Sequence, residues 1–310
     1  MNREIKSAVV TGPTGAVGTA LCGLLAENGI KTYAVVRPGS SRAEHLQAIP
    51  GTALISCDAS QYAQLPALVP HADAFIHLAW AKTVGQGRND MDAQIKNVQY
   101  TLDAVRAAAA MGCKVFVGAG SQAEYGRVDH ALTPDTPCFP ENGYGMAKLC
   151  AGQMSRVECE KLGIDHVWPR ILSVYGPYDG MGSMISSVAR ALLRREKPAL
   201  TPGDQLWDFL YADDAARALF LMASYGKDGA VYPLGSGSSR PLQEYIECLR
   251  DEINPALPLG FGDISYGAKQ VMHLEADLSP LKRDTGFAPL TDFRTGIRKT
   301  IDWVREKDNG

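Results

Sequence analysis

The chain has 310 residues, enough for one large domain or two modest ones with a sizeable core. Apolar residues make up 45% and charged residues 21%, an ordinary globular balance. A formal charge of −3 gives no electrostatic case for nucleic acid or an anionic membrane, so neither is expected as a partner.

The opening stretch MNREIKSAVVTG runs almost straight into a strand, without the apolar core of a leader peptide. No run approaches the ~18 apolar residues that span a bilayer. The seven cysteines are scattered, odd in number and never spaced CxxC, and the six histidines form no HxxxH or HExxH. That pattern predicts reduced thiols in a cytoplasmic protein and no metal.

Short β-branched runs alternate with helical stretches through the first half. Strands are expected at Ser7–Thr11, Thr32–Val36, Ala53–Ser56, Ala74–Leu78, Lys114–Ala119 and His166–Leu172. Helices are expected at Val17–Asn28, Asp90–Met111 and Tyr144–Leu162, with Gly29, Gly112 and Gly163 as left-handed stops. Such alternation predicts a doubly wound parallel sheet. After Val174 the rhythm changes: Tyr175-Gly176-Pro177 opens a loop, a helix follows at Ser183–Arg195, another starts at Asp213 or Asp214, and Val231–Leu234 is one more strand. Proline and glycine are dense from Asn254 to Gly267, where irregular structure is expected. The division expected is a nucleotide-binding domain of residues 1–174 and 208–240, with a discontinuous substrate cap of 175–207 and 241–310.

Thr11-Gly12-Pro13-Thr14-Gly15-Ala16-Val17-Gly18 joins the first strand to the first helix. Gly12 permits the tight turn, Gly15 lets backbone amides approach a pyrophosphate, and Gly18 allows close helix–sheet packing. The helix dipole then favours the phosphates. Gly12, Thr14, Gly15, Ala16, Val17 and Gly18 are therefore candidate cofactor contacts. The second strand ends in Arg37, followed by Ser40 and Arg42, where an NAD site usually carries an acid. Basic groups there would bind a 2′-phosphate by charge-assisted hydrogen bonds, which predicts NADP(H). Asp58, ending the third strand, is placed to reach the adenine.

Tyr144 and Lys148 stand at i and i+4 on one helix face. With 12 tyrosines and 13 lysines, roughly half a match of this kind arises by chance. Position strengthens the pair: its helix follows the fifth strand, and Ser121 lies just past that strand's end, where open α/β sheets bind ligands. Lys148 would hold the nicotinamide ribose and lower the Tyr144 pKa, Tyr144 would be general acid or base, and Ser121 would polarise a carbonyl.

These stretches, with HLAW at 77–80, GSQAEYG at 120–126, RILSVYGP at 170–177, DFLYADD at 208–214 and YPLG at 232–235, resemble the extended short-chain dehydrogenase/reductase family in its nucleotide-sugar epimerase, dehydratase and reductase branch. The resemblance implies a Rossmann-type sheet with a smaller C-terminal α/β substrate domain. It adds Leu78, Ala79, Lys82, Asn97 and Ile171 to the cofactor contacts, and it implies a homodimer through two long helices near 90–111 and 144–162. Dehydratases of this branch carry Asp-Glu after the catalytic hydroxyl residue; here Gln122 and Ala123 can serve neither as acid nor as base. Bifunctional epimerase–reductases have cysteine at position 123. Reduction of a nucleotide-linked 4-keto-(6-deoxy)sugar is thus preferred, with a cofactor-retaining 4-epimerase or a reductase of a non-sugar carbonyl as alternatives. On the substrate side Gln122, Ser173 and Trp207 are candidates, the last two standing where the family often has asparagine and arginine.

Overall fold

The computed structural model describes residues 2–309. The chain runs β1 Ser7–Thr11, α1 Ala16–Glu27, β2 Lys31–Val36, β3 Thr52–Ser56, α2 Leu65–Leu68, β4 Ala74–His77, α3 Met91–Ala110, β5 Val115–Gly118, β6 Gly120–Ser121 and α4 Gly143–Leu162. It continues through β7 Asp165–Ile171, β8 Ser173–Tyr175, α5 Met184–Leu193, β9 Ala199–Leu200, β10 Leu206–Trp207, β11 Phe209–Tyr211 and α6 Ala212–Tyr225. The remaining elements are β12 Ala230–Leu234, β13 Arg240–Pro241, α7 Leu242–Ile253, β14 Gly260–Phe261, α8 Ser279–Thr285 and α9 Phe293–Asn309.

The main sheet is parallel throughout, in the order β3-β2-β1-β4-β5-β7-β12, with β6 extending β5 along β7. Near-continuous runs of apolar residues, such as Ala8-Val9-Val10 and Val115-Phe116-Val117, explain why these segments are strands buried on both faces. In β1, Ala8 and Val10 enter one core while Val9 enters the other; β4 and β5 divide the same way, with Phe75 and Phe116 on the second face. Helices α1 and α6 cover the first face, and α3 with α4 lies over the second. Asp90 caps α3 by accepting from the Ala93 N–H, and Asn142 caps α4 through Gly145. Gly29, Gly112 and Gly163 all have φ near +70°, the left-handed stops that their positions predict.

A third core lies beyond the sheet. It draws on Tyr175, on Ile185, Val188 and Leu192 of α5, on Tyr211, and on α7 and α9. Those last two helices go beyond the expected elements. Their buried stripes, Leu242/Tyr245/Ile246/Leu249 and Phe293/Ile297/Ile301/Val304, have helical spacing that is masked by dense charge on the other face. Three 3₁₀ segments, Ser41–Ala48, Ala59–Gln64 and Gly85–Asn89, follow β2, β3 and β4. Among the described residues no helix is long and apolar enough to cross a membrane.

Two histidines are buried in the sheet. His166 stacks between Phe116 and Trp168, sharing a 2.9 Å hydrogen bond with Ser155 Oγ, and burial lowers its pKa to about 4. The unfolded chain, titrating near 6.5, takes up the proton first as the pH falls. Stability should therefore be intact above about pH 6.5 and decline toward pH 4, by up to about 3 kcal/mol for this one group. Urea unfolding at stepped pH should show a shallower decline in His166→Phe; an unchanged slope would contradict the burial argument.

Candidate active site

Two clefts lie along the sheet's carboxyl edge, of about 610 and 290 Å³, and both are lined by Gly12 and Trp80. The larger is bordered by Arg37, Ser40, Arg42, Asp58, Ala79, Lys82 and Asn97; the smaller by Gly15 to Gly18, Leu78, Ser121, Tyr144, Lys148 and Ile171. Residues as far apart in the chain as Gly12 and Asp179 thus meet on one edge.

The turn between β1 and α1 has the close approaches that its glycines foretell. Gly12 has φ +68°, and a Cβ there would stand 2.7 Å from the Ala79 nitrogen. At Gly18 a Cβ would strike the Gly12 carbonyl and lie 2.6 Å from Pro13 Cα. Over Gly15, in contrast, nothing lies within 4 Å. Helix α1 has no side-chain cap and no acid in its first turn, so its amides face open space. That combination fits a pyrophosphate: donors are free, the dipole is unopposed, and no side chain fills the place.

At the far end of the larger cleft Arg37 is exposed and near enough to Asp58 to lower its pKa, after the larger effect of hydrogen bonds from Ser60. Asp58 caps the 59–64 turn, accepting from Ser60 N–H at 3.0 Å and Ser60 Oγ at 2.6 Å. Arg42 donates to the carbonyls of Thr14 and Tyr178, both at 3.0 Å, bridging the phosphate turn to the loop after β8. Asn97 reaches the cleft wall, but its amide is committed to Ala81 N–H and C=O at 3.0 Å, which makes it a brace for the Ala79–Lys82 loop.

Ser121 ends β6, and Tyr144 and Lys148 lie in the first two turns of α4. Burial dominates the Tyr144 pKa; the neighbouring Ser121 hydroxyl lowers it, as does the Arg88 guanidinium, which sits 4.7 Å over its ring. Burial outweighs both and pushes Tyr144 up. The expected depression of Tyr144 by Lys148 is therefore corrected for these side chains alone. Lys148 is itself 4% exposed and pulled down to about 7 by burial. Its Nζ donates to the Ala119 carbonyl at 2.6 Å and stands 3.7 Å from the centroid of the Trp80 ring.

Trp80 was visible in the HLAW motif, but its contacts were not. Its indole meets Tyr144 edge-on at 6.1 Å and donates to buried Gln94 at 2.8 Å. His77 ties Thr11 of β1 to Thr101 of α3, at 2.8 and 3.3 Å, and burial lowers its pKa to about 3, so it stays neutral. On the substrate side, Trp207 Nε1 donates to Ser173 Oγ at 2.8 Å, which brings two of the three candidates together. Gln122 opens the turn after Ser121 and is half-buried.

Residues 8–235 match the NAD dependent epimerase/dehydratase family. The dTDP-glucose 4,6-dehydratase of Salmonella typhimurium is 30% identical over 179 residues, 56% of this chain and 50% of that protein. The chain thus spans about half the length of the curated relatives that it matches first. The Neisseria gonorrhoeae protein of the same name is 24% identical over 96% of this chain and 95% of its own length. Among solved structures, MoeE5 in complex with UDP-glucuronic acid and NAD superposes with a TM-score of 0.84 at 27% identity, covering 97% of this chain and 99% of that one. RMD from Pseudomonas aeruginosa complexed with NADPH, at 24% identity and TM-score 0.82 over 97% of this chain and 99% of that one, shares the fold. The chain belongs to the NAD dependent epimerase/dehydratase family, in the nucleotide-sugar branch of the extended short-chain dehydrogenases/reductases.

Proposed function

We propose that this protein reduces the 4-ketone of a nucleotide-linked 6-deoxysugar with NADPH. The observation that carries this reading is the meeting of Ser121, Tyr144 and Lys148 beside the glycine turn after β1, in a cleft that adjoins a second one lined by Arg37 and Arg42. Gly12 to Gly18 would hold the pyrophosphate, and Arg37 with Ser40 and Arg42 the 2′-phosphate. Arg42 would exchange its two carbonyl partners for the stronger anion. Bound NADPH supplies a hydride; everything else falls to the chain's own groups. Ser121 Oγ donates to the oxygen that gains charge, and Tyr144 delivers the proton to it. Lys148, whose pKa burial pulls down to about 7, would hold the nicotinamide ribose.

The dehydratase names among the relatives do not transfer directly. Gln122 and Ala123 lack acid–base capacity, and the next carboxylate, Glu124, is fully buried and locked to Arg170 at 2.7 Å. It is not free to exchange protons with a substrate. A second reading, a 4-epimerase that keeps its NAD(P), is favoured by the UDP-sugar and NAD held together in MoeE5. The third core would form the substrate cap, and seven free thiols suit work in the cytoplasm. We assign a homodimer to α3 and α4, whose outer faces expose Met91, Ile95, Met146, Met154 and Val157.

Incubation with dTDP- and GDP-linked 4-keto-6-deoxyhexoses should oxidise NADPH, and Tyr144→Phe should lower that rate by at least roughly a hundredfold while NADPH affinity stays within about twofold. Absence of turnover across the panel sinks the reductase, and interconversion of two nucleotide sugars without net NADPH loss selects the epimerase. Arg37→Ala should weaken NADPH binding about tenfold and leave NADH unchanged; equal use of both by the native protein would refute the 2′-phosphate site. Sedimentation should give a dimer mass, reduced to a monomer by Val157→Glu; a monomeric native protein would exclude the α3–α4 interface.

A further inference from the structure

Behind Ser121 lies a charged group for which the proposed reaction has no direct use. Glu124 is 0% exposed, three residues past Ser121. Its carboxylate accepts from the Ser121 backbone N–H at 2.8 Å, from Trp168 Nε1 at 3.1 Å and from Arg170 Nε at 2.7 Å. Arg170 is 4% exposed and lies over the Tyr125 ring, Cζ at 4.4 Å from its centroid. Gly120 leaves room for this cluster, since a Cβ there would stand 2.6 Å from Glu124 Oε1. A buried ion pair is weak evidence for stability, because desolvation offsets most of its attraction. Position suggests a different role. Glu124 holds Ser121 extended at φ −148°, ψ 149°, and so sets the main chain that presents the hydroxyl.

The charge also reaches α4, since Lys148 Nζ donates to the Ala119 carbonyl at 2.6 Å, two residues before the Ser121 N–H that Glu124 accepts at 2.8 Å. Burial pulls Lys148 down to about 7, and Glu124 is the group that opposes it; Tyr144 is pushed up by burial and, to a lesser degree, by the same carboxylate. Around Glu124 stand Arg170, Tyr125 and Cys138, with Arg156 and His166 lining a cavity of about 180 Å³ beside it. Lys148 also faces His77, and Tyr144 faces Arg88. Resting on the reading of Ser121, Tyr144 and Lys148 as the hydride-transfer site, we propose that Glu124 is a positioning residue. It holds the Ser121 main chain and supplies the buried negative charge that balances the Lys148 ammonium.

The test follows the Lys148 titration by NMR of the full chain, isotope-labelled at lysine Cε, with the signal assigned by its loss in Lys148→Met. Glu124→Gln keeps an oxygen for the Ser121 N–H and removes the charge. The Lys148 midpoint should then fall by about one pH unit. A midpoint that stays or rises overturns the proposal. Because Glu124→Gln leaves Arg170 buried and unpaired, Glu124→Gln with Arg170→Gln is titrated beside it. A smaller downward shift is expected there, because the second substitution also removes the Arg170 positive charge, and an unmoved midpoint is decisive against the role, even where the single variant does not fold. This readout needs no substrate. Failure of the native protein to turn over ketosugars would count against the reductase alone, and an unmoved midpoint against Glu124 alone.

Discussion

The parallel ladder between β5–β6 and β7 keeps one constant offset, Val115 opposite Asp165, Gly120 opposite Arg170 and Ser121 opposite Ile171. Everything chemical in the molecule hangs on it. A one-residue slip would turn Ser121 to the other face of the sheet. The offset also places Arg170 beside Gly120, and only a residue without a Cβ leaves space there for the Glu124 carboxylate and the Trp168 indole. Gly152 of α4 makes the same allowance, since a Cβ would lie 2.7 Å from Trp168 Cε2. Helix α4 can then settle close enough to the sheet for Lys148 to reach the Ala119 carbonyl.

That closeness sets the electrostatics. Lys148, Glu124, Arg170 and His77 are all nearly inaccessible to water, so each charge is felt strongly by the others. Lys148 loses part of its preference for the charged form, Tyr144 gains resistance to ionisation, and His77 stays neutral as a brace between β1 and α3. The Trp80 face and the Ala119 carbonyl supply the negative ends that an ammonium needs in such a place. The relation between Tyr144 and Lys148 is therefore less one of direct depression than of two neighbours on one cleft wall, with Glu124 acting on both.

Much of this was legible in the chain itself. The strands of the first half fall where the apolar runs end against glycines, because a strand buried on both faces must be apolar at nearly every position. The glycine turn after β1 was legible because its glycines answer separate steric demands, each now seen at Gly12, Gly15 and Gly18. Helices α7 and α9 were harder to see, since charged residues crowd the face opposite their apolar stripe. Glu124 and Trp80 were present in recognisable motifs, yet nothing local says that one pairs with Arg170 and the other covers Lys148.

The sequence alone determined the parallel sheet, the glycine turn after β1 and the helical pairing of Tyr144 with Lys148. Those properties depend on period, on glycine placement and on i to i+4 spacing, which are local. Only the tertiary structure decided that Asn97 braces a loop, that Arg42 bridges Thr14 to Tyr178, and that Trp207 binds Ser173. It also decided the charge balance at Lys148. Such outcomes depend on which distant side chains share a water-poor volume, and desolvation is set by the folded neighbourhood, not by the chain's order.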